Sequence, residues 1–434
     1  MRALKLLLPF TLIAPLIGGC FSSEAGKPVE ITVNYPDENG FYQKYGYEFE
    51  KKHPGIKIRV ETIDVTPSAN TRVMPDIVFM DTTAQFQEQL KQGALLNLQK
   101  FADEDDSGNL DKLSPIMTDL LRNDDGQLHA LSPYYSSQGI YYNKGLFKQY
   151  GVPLPKNQMS WRDLLELAQR FPKTNGNGER MYGFVTNYYR EIEFATFLRY
   201  GQTEGLCFIN PATLKIAIDT PQWRDIYKTT VEAFRSGAIK NEAEDEDAQL
   251  TADPLLTGHA AMQIYYQDAG LNMEAAYKHY KLQPIDWDVV TPPVNPLIPE
   301  QSDFFSLNEI FGISAKSAYP EEAWEFLEFA ASDVDNVKRN MSNSGVGIPA
   351  TSELNIVMEG HDTKVFSMLR PATTNVNPYD AVHYDIVNAF KEVGQAITEK
   401  VIKGELPIDD ALQEIEKQGQ AAVDKARAAT GGSG

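Results

Sequence analysis

The sequence predicts an α/β fold in which strands and helices alternate along the chain. Strand-like runs at residues 29–34 and 56–63 flank a helix-like run at residues 41–52. Residues 75–81 have a wholly apolar centre, as a strand buried on both faces of a parallel sheet requires. Alternation of this kind builds layered sheets with crossover connections. Since 434 residues exceed one ordinary core, we expect two or three domains.

The first residues look like an export signal that ends at a cysteine. Two cations precede an apolar run at residues 6–17, which is too short to span a bilayer as a helix. Two glycines then precede Cys20, and this ending resembles the lipobox of bacterial lipoproteins. We expect residues 1–19 to be a signal peptide, Cys20 to be lipidated and residues 20–27 to form a flexible tether. An ordinary secretory signal with a chance cysteine is the alternative.

Cysteine content and net charge narrow the class of protein. Lipidation of Cys20 would leave Cys207 without a disulfide partner, and we expect Cys207 to be a small core residue. The formal net charge of −20 repels nucleic acid and anionic lipid head groups. We therefore expect no nucleic-acid partner, and attachment to the extracytoplasmic face of the cell membrane through the lipid alone.

A small polar stretch at residues 136–139 separates two short aromatic strands predicted at residues 128–135 and 139–143. A soft joint of this kind is what a hinge beneath a binding cleft requires, because few residues must absorb the change in backbone angles. A tight connection within one domain is the alternative.

The later elements follow from amphipathic periodicity and from start and stop signals. Ser160 begins a helix at residues 160–171, with Asp163 placed for a capping box. Further helices are predicted at residues 223–236, after Pro320, and at 381–403 and 408–427, and further strands at 182–185, 260–264, 287–291 and 309–314.

Polar side chains follow two of the predicted strands. Tyr35 and Asp37 follow the first strand, and Asp81 and Thr82 follow the third. Because ligands of open α/β sheets bind beyond the carboxyl ends of the strands, these residues are candidate ligand contacts. Each position also fits a helix N-cap, which is the alternative.

Tyrosine pairs recur near the ends of predicted strands, at residues 134–135, 141–142, 188–189 and 265–266. Within a strand the two members of a pair face opposite ways, so one member at most can reach a common cleft. A tyrosine ring packs against the C–H face of a sugar while its hydroxyl binds sugar hydroxyls. Core packing is the alternative for any single ring.

The sequence lacks the short motifs of the common enzyme classes and of metal sites. It contains no phosphate-binding glycine loop, no C-x-x-C, no H-E-x-x-H and no G-x-S-x-G, and its six histidines show no ligand spacing. Residues 103–111 resemble the start of a calcium loop, but Ser114 stands where the bidentate glutamate belongs, so we expect an acidic turn. Lys173 argues likewise for a turn at residues 175–178. We expect no catalytic residue, metal ion or cofactor.

Several motifs occur in one order along the chain: PDIVFMD at residues 75–81, DGQLHAL at 125–131, YYNKGLF at 141–147, TGHAAM at 257–262 and EAWEFL at 322–327. In this order, and behind a lipobox, they resemble the family 1 extracellular solute-binding proteins, which are sugar-binding lipoproteins of ATP-driven importers. Where that family often has tryptophan, this chain has Tyr265 and Tyr266, so the particular ligand is open.

The resemblance implies a two-lobed fold of the periplasmic-binding-protein type, class II, with a ligand cleft between the lobes and a hinge of several crossover segments. Residues 28–137 plus 310–371 would form lobe I, and residues 140–305 plus 375–428 would form lobe II. It also implies a monomer that closes over a neutral sugar or oligosaccharide and delivers it to the transmembrane subunits of an ABC permease. Rival hypotheses are a non-sugar solute, a surface-anchored carbohydrate-active enzyme, and a sensor that feeds no permease.

We expect the cleft to be lined by polar and aromatic side chains near the strand ends. These residues are Tyr35, Asp37, Asp81, Tyr134, Tyr188, Tyr265, Tyr266, Asn308, Glu309 and Tyr379.

Overall fold

The computed structural model describes residues 28–62, 74–105, 108–186, 190–240, 253–344, 347–354, 356–358, 360–372, 379 and 382–430. Within them strands and helices alternate and the strands form two main sheets, as the predicted α/β class requires. The predicted signal peptide, Cys20 and the tether lie outside the described residues. No helix within the described residues combines the length and the apolar character that crossing a bilayer requires.

The strands are β1 (Val29–Tyr35), β2 (Ile56–Thr62), β3 (Ile77–Met80), β4 (Ala130–Leu131), β5 (Tyr134–Asn143), β6 (Tyr182–Val185), β7 (Ala260–Tyr266), β8 (Trp287–Val290), β9 (Gln301–Ser302), β10 (Phe305–Leu307), β11 (Ile310–Ile313), β12 (Ile348–Pro349) and β13 (Arg370–Pro371).

The helices are α1 (Glu38–Phe41), α2 (Tyr47–Lys52), α3 (Thr83–Lys91), α4 (Gln99–Asp103), α5 (Pro115–Leu120), α6 (Lys144–Tyr150), α7 (Trp161–Ala168), α8 (Ile192–Thr203), α9 (Pro221–Arg235), α10 (Ala269–Tyr280), α11 (Pro320–Ser332), α12 (Val334–Ser344), α13 (Tyr384–Ile402) and α14 (Ile408–Ala429). A π-helical segment, Tyr42–Gly46, joins α1 to α2.

The first sheet has the strand order β2-β1-β3-β11-β4. Strand β1 pairs in parallel with β2 and β3, whereas β11 is antiparallel and lies between β3 and β4. All four residues of β3 are buried, as the apolar centre of that run predicted.

The second sheet has β5 at its centre, in the order β10-β5-β7-β6, and β8 and β12 also pair with β5. The first half of β5 pairs with β10, where Ser137 lies opposite Phe305, and with β12. The second half pairs with β7, where Gln138 lies opposite Tyr266, and with β8. The partners of β5 therefore change at the middle of the strand.

The predicted joint at residues 136–139 is not a break between two strands, because β5 runs through it without interruption. Backbone pairing with β10 and β7 stabilises the extended conformation there despite the small polar side chains. Gly139 is required for close packing: a Cβ atom at this position would lie 2.7 Å from Val289 Cγ2 and 3.0 Å from the Val290 carbonyl oxygen.

Helix starts follow the sequence signals closely. Ser160 and Asp163 form the predicted capping box at α7. Asp37 accepts from Gly40 N at 2.6 Å and caps α1, which begins at Glu38 rather than at the predicted residue 41. Thr82 accepts from Gln85 N at 3.2 Å, so the N-cap of α3 is Thr82 and not Asp81.

Buried apolar side chains form two clusters on opposite faces of the second sheet. One cluster contains Tyr141 and continues beneath the first sheet to Ile31, and the other contains Ile140 and Phe184. Adjacent residues of β5 enter different clusters because side chains alternate along a strand. The bounds of the two lobes stay a prediction.

Cys207 is exposed, contrary to the prediction that it is a core residue. Its neighbour Phe208 is 3% exposed and packs into the interior instead. Where one apolar residue of such a pair turns inward, the other turns to solvent.

Candidate functional site

The chain crosses between the two sheets at two short connections that lie side by side. Residues 132–133 join β4 to β5, and residues 308–309 join β10 to β11. The buried hydroxyl of Ser132 lies 2.7 Å from the Tyr134 carbonyl oxygen and 3.3 Å from the Asn308 carbonyl oxygen. These two connections are therefore held together at the point where one sheet gives way to the other.

A cavity of about 430 Å³ lies beside these connections. Its lining is mostly polar and includes three tyrosines. The lining residues are Tyr134, Tyr135, Ser136, Tyr266, Gln267, Asp268, Ser306, Asn308, Glu309 and Gly347.

The strand register explains why residues distant in sequence share this cavity. Ser136 lies opposite Ser306, and Gln138 lies opposite Tyr266. Since opposed residues of a ladder point to the same face, Tyr134, Ser136, Ser306 and Tyr266 all lie on one face of β5.

Tyr134 and Tyr266 differ in how freely they meet solvent. Tyr134 is 5% exposed, and its hydroxyl donates to the Val337 carbonyl oxygen at 3.2 Å. Burial raises the pKa of the Tyr134 hydroxyl, and the nearby Glu309 carboxylate raises it further. Tyr266 is 46% exposed, which leaves a large part of its ring free to pack against a ligand.

Glu309 anchors the wall of the cavity through contacts with the first sheet. Its Oε1 accepts from Tyr35 at 2.9 Å and contacts Lys44 Nζ, and its Oε2 accepts from Tyr45 at 2.5 Å. Burial, followed by the Glu309 charge, raises the pKa of both tyrosines. Glu309 also has a φ of 64°, in the left-handed region that a glutamate rarely adopts. Three donors compensate for that strain.

Gln267 supports the cavity wall from below. Its Oε1 accepts from Ser137 N at 2.9 Å, and its backbone nitrogen donates to the Ser137 carbonyl oxygen at 3.0 Å. These bonds fix the end of β7 against β5 and place Asp268 at the cavity.

Four of the residues predicted to bind ligand lie together in this lining: Tyr134, Tyr266, Asn308 and Glu309. Tyr35 lies directly behind Glu309. Asp81 follows Met80, which pairs with Ile310, so the register places Asp81 next to Glu309 at the sheet edge. The role of each residue in binding stays a prediction.

The structure does not bring the other predicted residues to the described lining. Asp37 caps α1, and Tyr265 lies on the opposite face of β7, where its hydroxyl contacts Asp253 Oδ2. Burial raises the pKa of that Asp253 carboxyl. The Tyr379 ring stacks on Phe208 with 3.9 Å between ring centroids, inside the cluster that contains Ile140. Tyr188 lies outside the described residues.

The sequence prediction missed several residues that line the cavity, namely Ser136, Gln267, Asp268 and Ser306. Gln267 and Asp268 follow directly after the predicted pair of tyrosines, so the end of a strand was the available signal. The two serines could be found only from the register of β10 on β5.

A larger cavity of about 560 Å³ lies on the side of β5 to which Tyr135 points. Its wall includes Phe366, Met358 and Leu369, which belong to the buried cluster beneath the first sheet. We assign the smaller cavity as the candidate site, because it joins a half-exposed tyrosine ring to convergent hydroxyl, amide and carboxylate groups.

The two calcium-like stretches hold different positions in the chain. Asn175 Oδ1 accepts from Asn177 N at 2.9 Å and from Glu179 N at 3.0 Å, which confirms a turn at residues 175–178. Part of residues 103–111 lies outside the described residues. Within the described part of the chain, no group of three or more His, Cys, Asp or Glu residues could hold a metal ion.

A family model described as bacterial extracellular solute-binding protein matches residues 35–336. Three solved structures are similar over most of the chain. A family 1 extracellular solute-binding protein from Alicyclobacillus acidocaldarius has a TM-score of 0.66 at 17% identity, covering 92% of this chain and 99% of that one.

The sugar-binding protein MalE from Xanthomonas citri has a TM-score of 0.62 at 13% identity, covering 94% of this chain and 100% of that one. An ABC substrate-binding protein from Listeria monocytogenes, solved in complex with cycloalternan, has a TM-score of 0.55 at 20% identity, covering 93% and 100%. These likenesses confirm the predicted two-lobed fold.

Proposed function

Because the chain belongs to the bacterial extracellular solute-binding protein family, we propose that it captures a neutral sugar or oligosaccharide in the cavity beside β5 and delivers it to the permease of an ABC importer. The observation that carries this proposal is the half-exposed ring of Tyr266 beside the polar side chains of Asn308, Asp268 and Ser306. A ring face and several hydrogen-bonding groups are what a sugar requires of a site.

Similar proteins support the choice of ligand class. The protein from Listeria monocytogenes was solved with cycloalternan, and another similar structure is a cyclo/maltodextrin-binding protein complexed with maltotetraose. Both ligands are neutral oligosaccharides.

Capture follows from a change in the relative position of the two sheets. The cavity lies at the connections between them, so a rotation there brings the edge of the first sheet, with Glu309, toward Tyr266 of the second. Ligand favours the closed form only by the additional contacts that this form provides. The closed shape is then what the permease would recognise.

The binder releases its ligand unchanged. We propose no catalytic residue, because the carboxylate nearest the first sheet, Glu309, is held by Tyr35, Lys44 and Tyr45 rather than presented as a free acid or base. Incubation with a bound oligosaccharide should return the same oligosaccharide on chromatography, whereas appearance of shorter products would establish a carbohydrate-active enzyme.

We also propose that Cys20 carries the lipid that holds the protein at the outer face of the cell membrane. In cells fed a labelled fatty acid, Cys20→Ser should lose both the label and the membrane fraction. Cys207→Ser is the matched control, because Cys207 is exposed and lies in the folded part of the chain. Unchanged membrane attachment in Cys20→Ser would contradict the anchor.

A thermal-shift screen over neutral oligosaccharides tests ligand capture. A ligand present at a hundred times its Kd should stabilise the folded state by about 2.7 kcal/mol and raise Tm by several degrees. Maltotriose, cellotriose and larger oligomers form the panel. If none of these sugars raises Tm while amino acids or peptides do, the sugar proposal is wrong and a non-sugar solute takes its place.

A further inference from the structure

The charged side chains of the candidate cavity are all acidic. Among the described lining residues, Asp268 and Glu309 are carboxylates, and none is a lysine, arginine or histidine. The two carboxylates face the cavity from different sides, Asp268 after β7 and Glu309 before β11.

The charge of Glu309 is largely compensated from behind. Lys44 Nζ contacts one of its oxygens, and the hydroxyls of Tyr35 and Tyr45 donate to the carboxylate at 2.9 Å and 2.5 Å. A ligand therefore meets a carboxylate that is already paired and fully hydrogen-bonded.

Asp268 has no such compensation. Its carboxylate accepts from Asn272 Nδ2 at 3.0 Å, and within the described residues it belongs to no ion pair. It stands at the start of α10 without capping a backbone nitrogen of that helix. The half-exposed ring of Tyr266 lies two residues before it.

The position of Asp268 also determines how the N-terminus of α10 acts on a ligand. A helix N-terminus attracts anions through its free backbone N–H groups and its partial positive charge. A carboxylate at that point offsets the attraction. Without Asp268, the same wall of the cavity would favour an anionic ligand.

The opposite edge of the cavity carries the same sign of charge. The pairing of Met80 with Ile310 places Asp81 next to Glu309, and Asp81 is exposed. The net charge of −20 over the whole chain adds to this local field.

We infer that Asp268 makes the cavity selective by charge: it accepts neutral and amine-bearing saccharides and rejects saccharides that carry carboxylate or phosphate groups. This inference rests on the proposed capture of sugar and names the class of sugar. An ammonium group of an amino sugar would lie between the Asp268 carboxylate and the face of Tyr266, where both attract a cation. A uronate at the same position would be repelled.

Matched trisaccharides test the inference by calorimetry. The neutral probes are cellotriose and maltotriose, the anionic probes are their C6-carboxylate forms, and the amine-bearing probe is the β-1,4-linked glucosamine trimer. In the unaltered protein we expect each anionic form to bind at least about tenfold more weakly than its neutral parent, which corresponds to roughly 1.4 kcal/mol. In Asp268→Asn we expect the ratio to fall by about tenfold, chiefly through tighter binding of the anionic form.

Glu274→Gln is the matched control, because Glu274 lies on the same helix, is exposed and is not in the cavity lining. It removes the same charge and should leave the ratio unchanged. Added salt should reduce the discrimination in the unaltered protein.

The outcomes separate the two proposals. Neutral and anionic trimers that bind equally well to the unaltered protein, or an unchanged ratio in Asp268→Asn, overturn the charge selection and leave sugar capture standing. Binding of no saccharide of any charge overturns sugar capture and the charge selection with it.

Discussion

The hydroxyl of Tyr35 donates a hydrogen bond to Glu309 Oε1 across 2.9 Å, although the two residues are 274 positions apart in the sequence. Tyr35 ends β1, and Glu309 lies in the connection between β10 and β11. One carboxylate thereby ties the start of the fold to the crossover beside the candidate cavity.

Replacement of Glu309 by alanine should destabilise the protein by about 2 kcal/mol, because two buried hydroxyls and one lysine lose their shared acceptor. Urea denaturation measures the free energy of unfolding. Glu300→Ala is the control, since Glu300 is exposed and lies in a nearby loop. Equal stability of the two variants would show that the Glu309 contacts contribute nothing to the fold.

Tyr266→Ala should weaken the binding of a neutral oligosaccharide by about tenfold or more, since it removes the ring that the cavity exposes to ligand. The fold should remain as stable as before, because the side chain is 46% exposed. Titration calorimetry measures the affinity. Tyr280→Ala removes a similarly exposed ring, 53% exposed at the end of α10, and should bind as the unaltered protein does. Loss of affinity in both variants would argue against a specific role for Tyr266.

Gly139→Ala should lower the free energy of unfolding by about 1–3 kcal/mol, because the new methyl group would overlap Val289 and the Val290 carbonyl oxygen. Thermal denaturation measures the effect. Gly176→Ala is the matched control, since nothing lies within 4 Å of the position its Cβ would take. A fully stable Gly139→Ala variant would mean that β5 and β8 separate without cost.

Stability should fall as the pH rises from about 10 to about 12. Burial raises the pKa of Tyr227 from 10.0 to about 12, and its hydroxyl lies 3.1 Å from Thr398 Oγ1. The folded protein therefore holds a proton that the unfolded chain releases near pH 10, so the stabilisation is complete below pH 10 and is lost through the folded pKa.

Urea denaturation at several values above about pH 9 measures this slope. Tyr227→Phe should flatten it, because phenylalanine has no proton to lose. Tyr384→Phe removes a hydroxyl from a side chain that is 73% exposed and should leave the slope as it was. A slope that is the same in all three proteins would exclude Tyr227 as its source.

Local signals in the sequence predicted the elements that depend on neighbouring residues. The capping box of Ser160 and Asp163, the apolar strand β3 and the amphipathic stripe of α11 each rest on residues a few positions apart. Helix α8 was not predicted, because it is buried on nearly all sides and so lacks a polar face to give it a period.

The candidate site was predictable only in part. Asn308, Glu309 and Tyr266 follow or end strands, so the rule that ligands bind at strand ends could find them. The contact of Lys44 with Glu309 and the opposition of Ser136 and Ser306 depend on strand register, which the sequence does not display. Tyr379 shows the converse error, since an aromatic residue near a predicted hinge turned out to pack in the interior.

The place of β11 in the first sheet has a consequence for synthesis. It lies between β3 and β4, although both of these are made long before it. While a nascent chain is still short of residue 310, the Met80 side of β3 has no neighbour and presents an open backbone edge. We therefore expect this half of the protein to be completed only after most of the chain has left the ribosome. A truncated product that ends before β11 should associate with other copies through that edge.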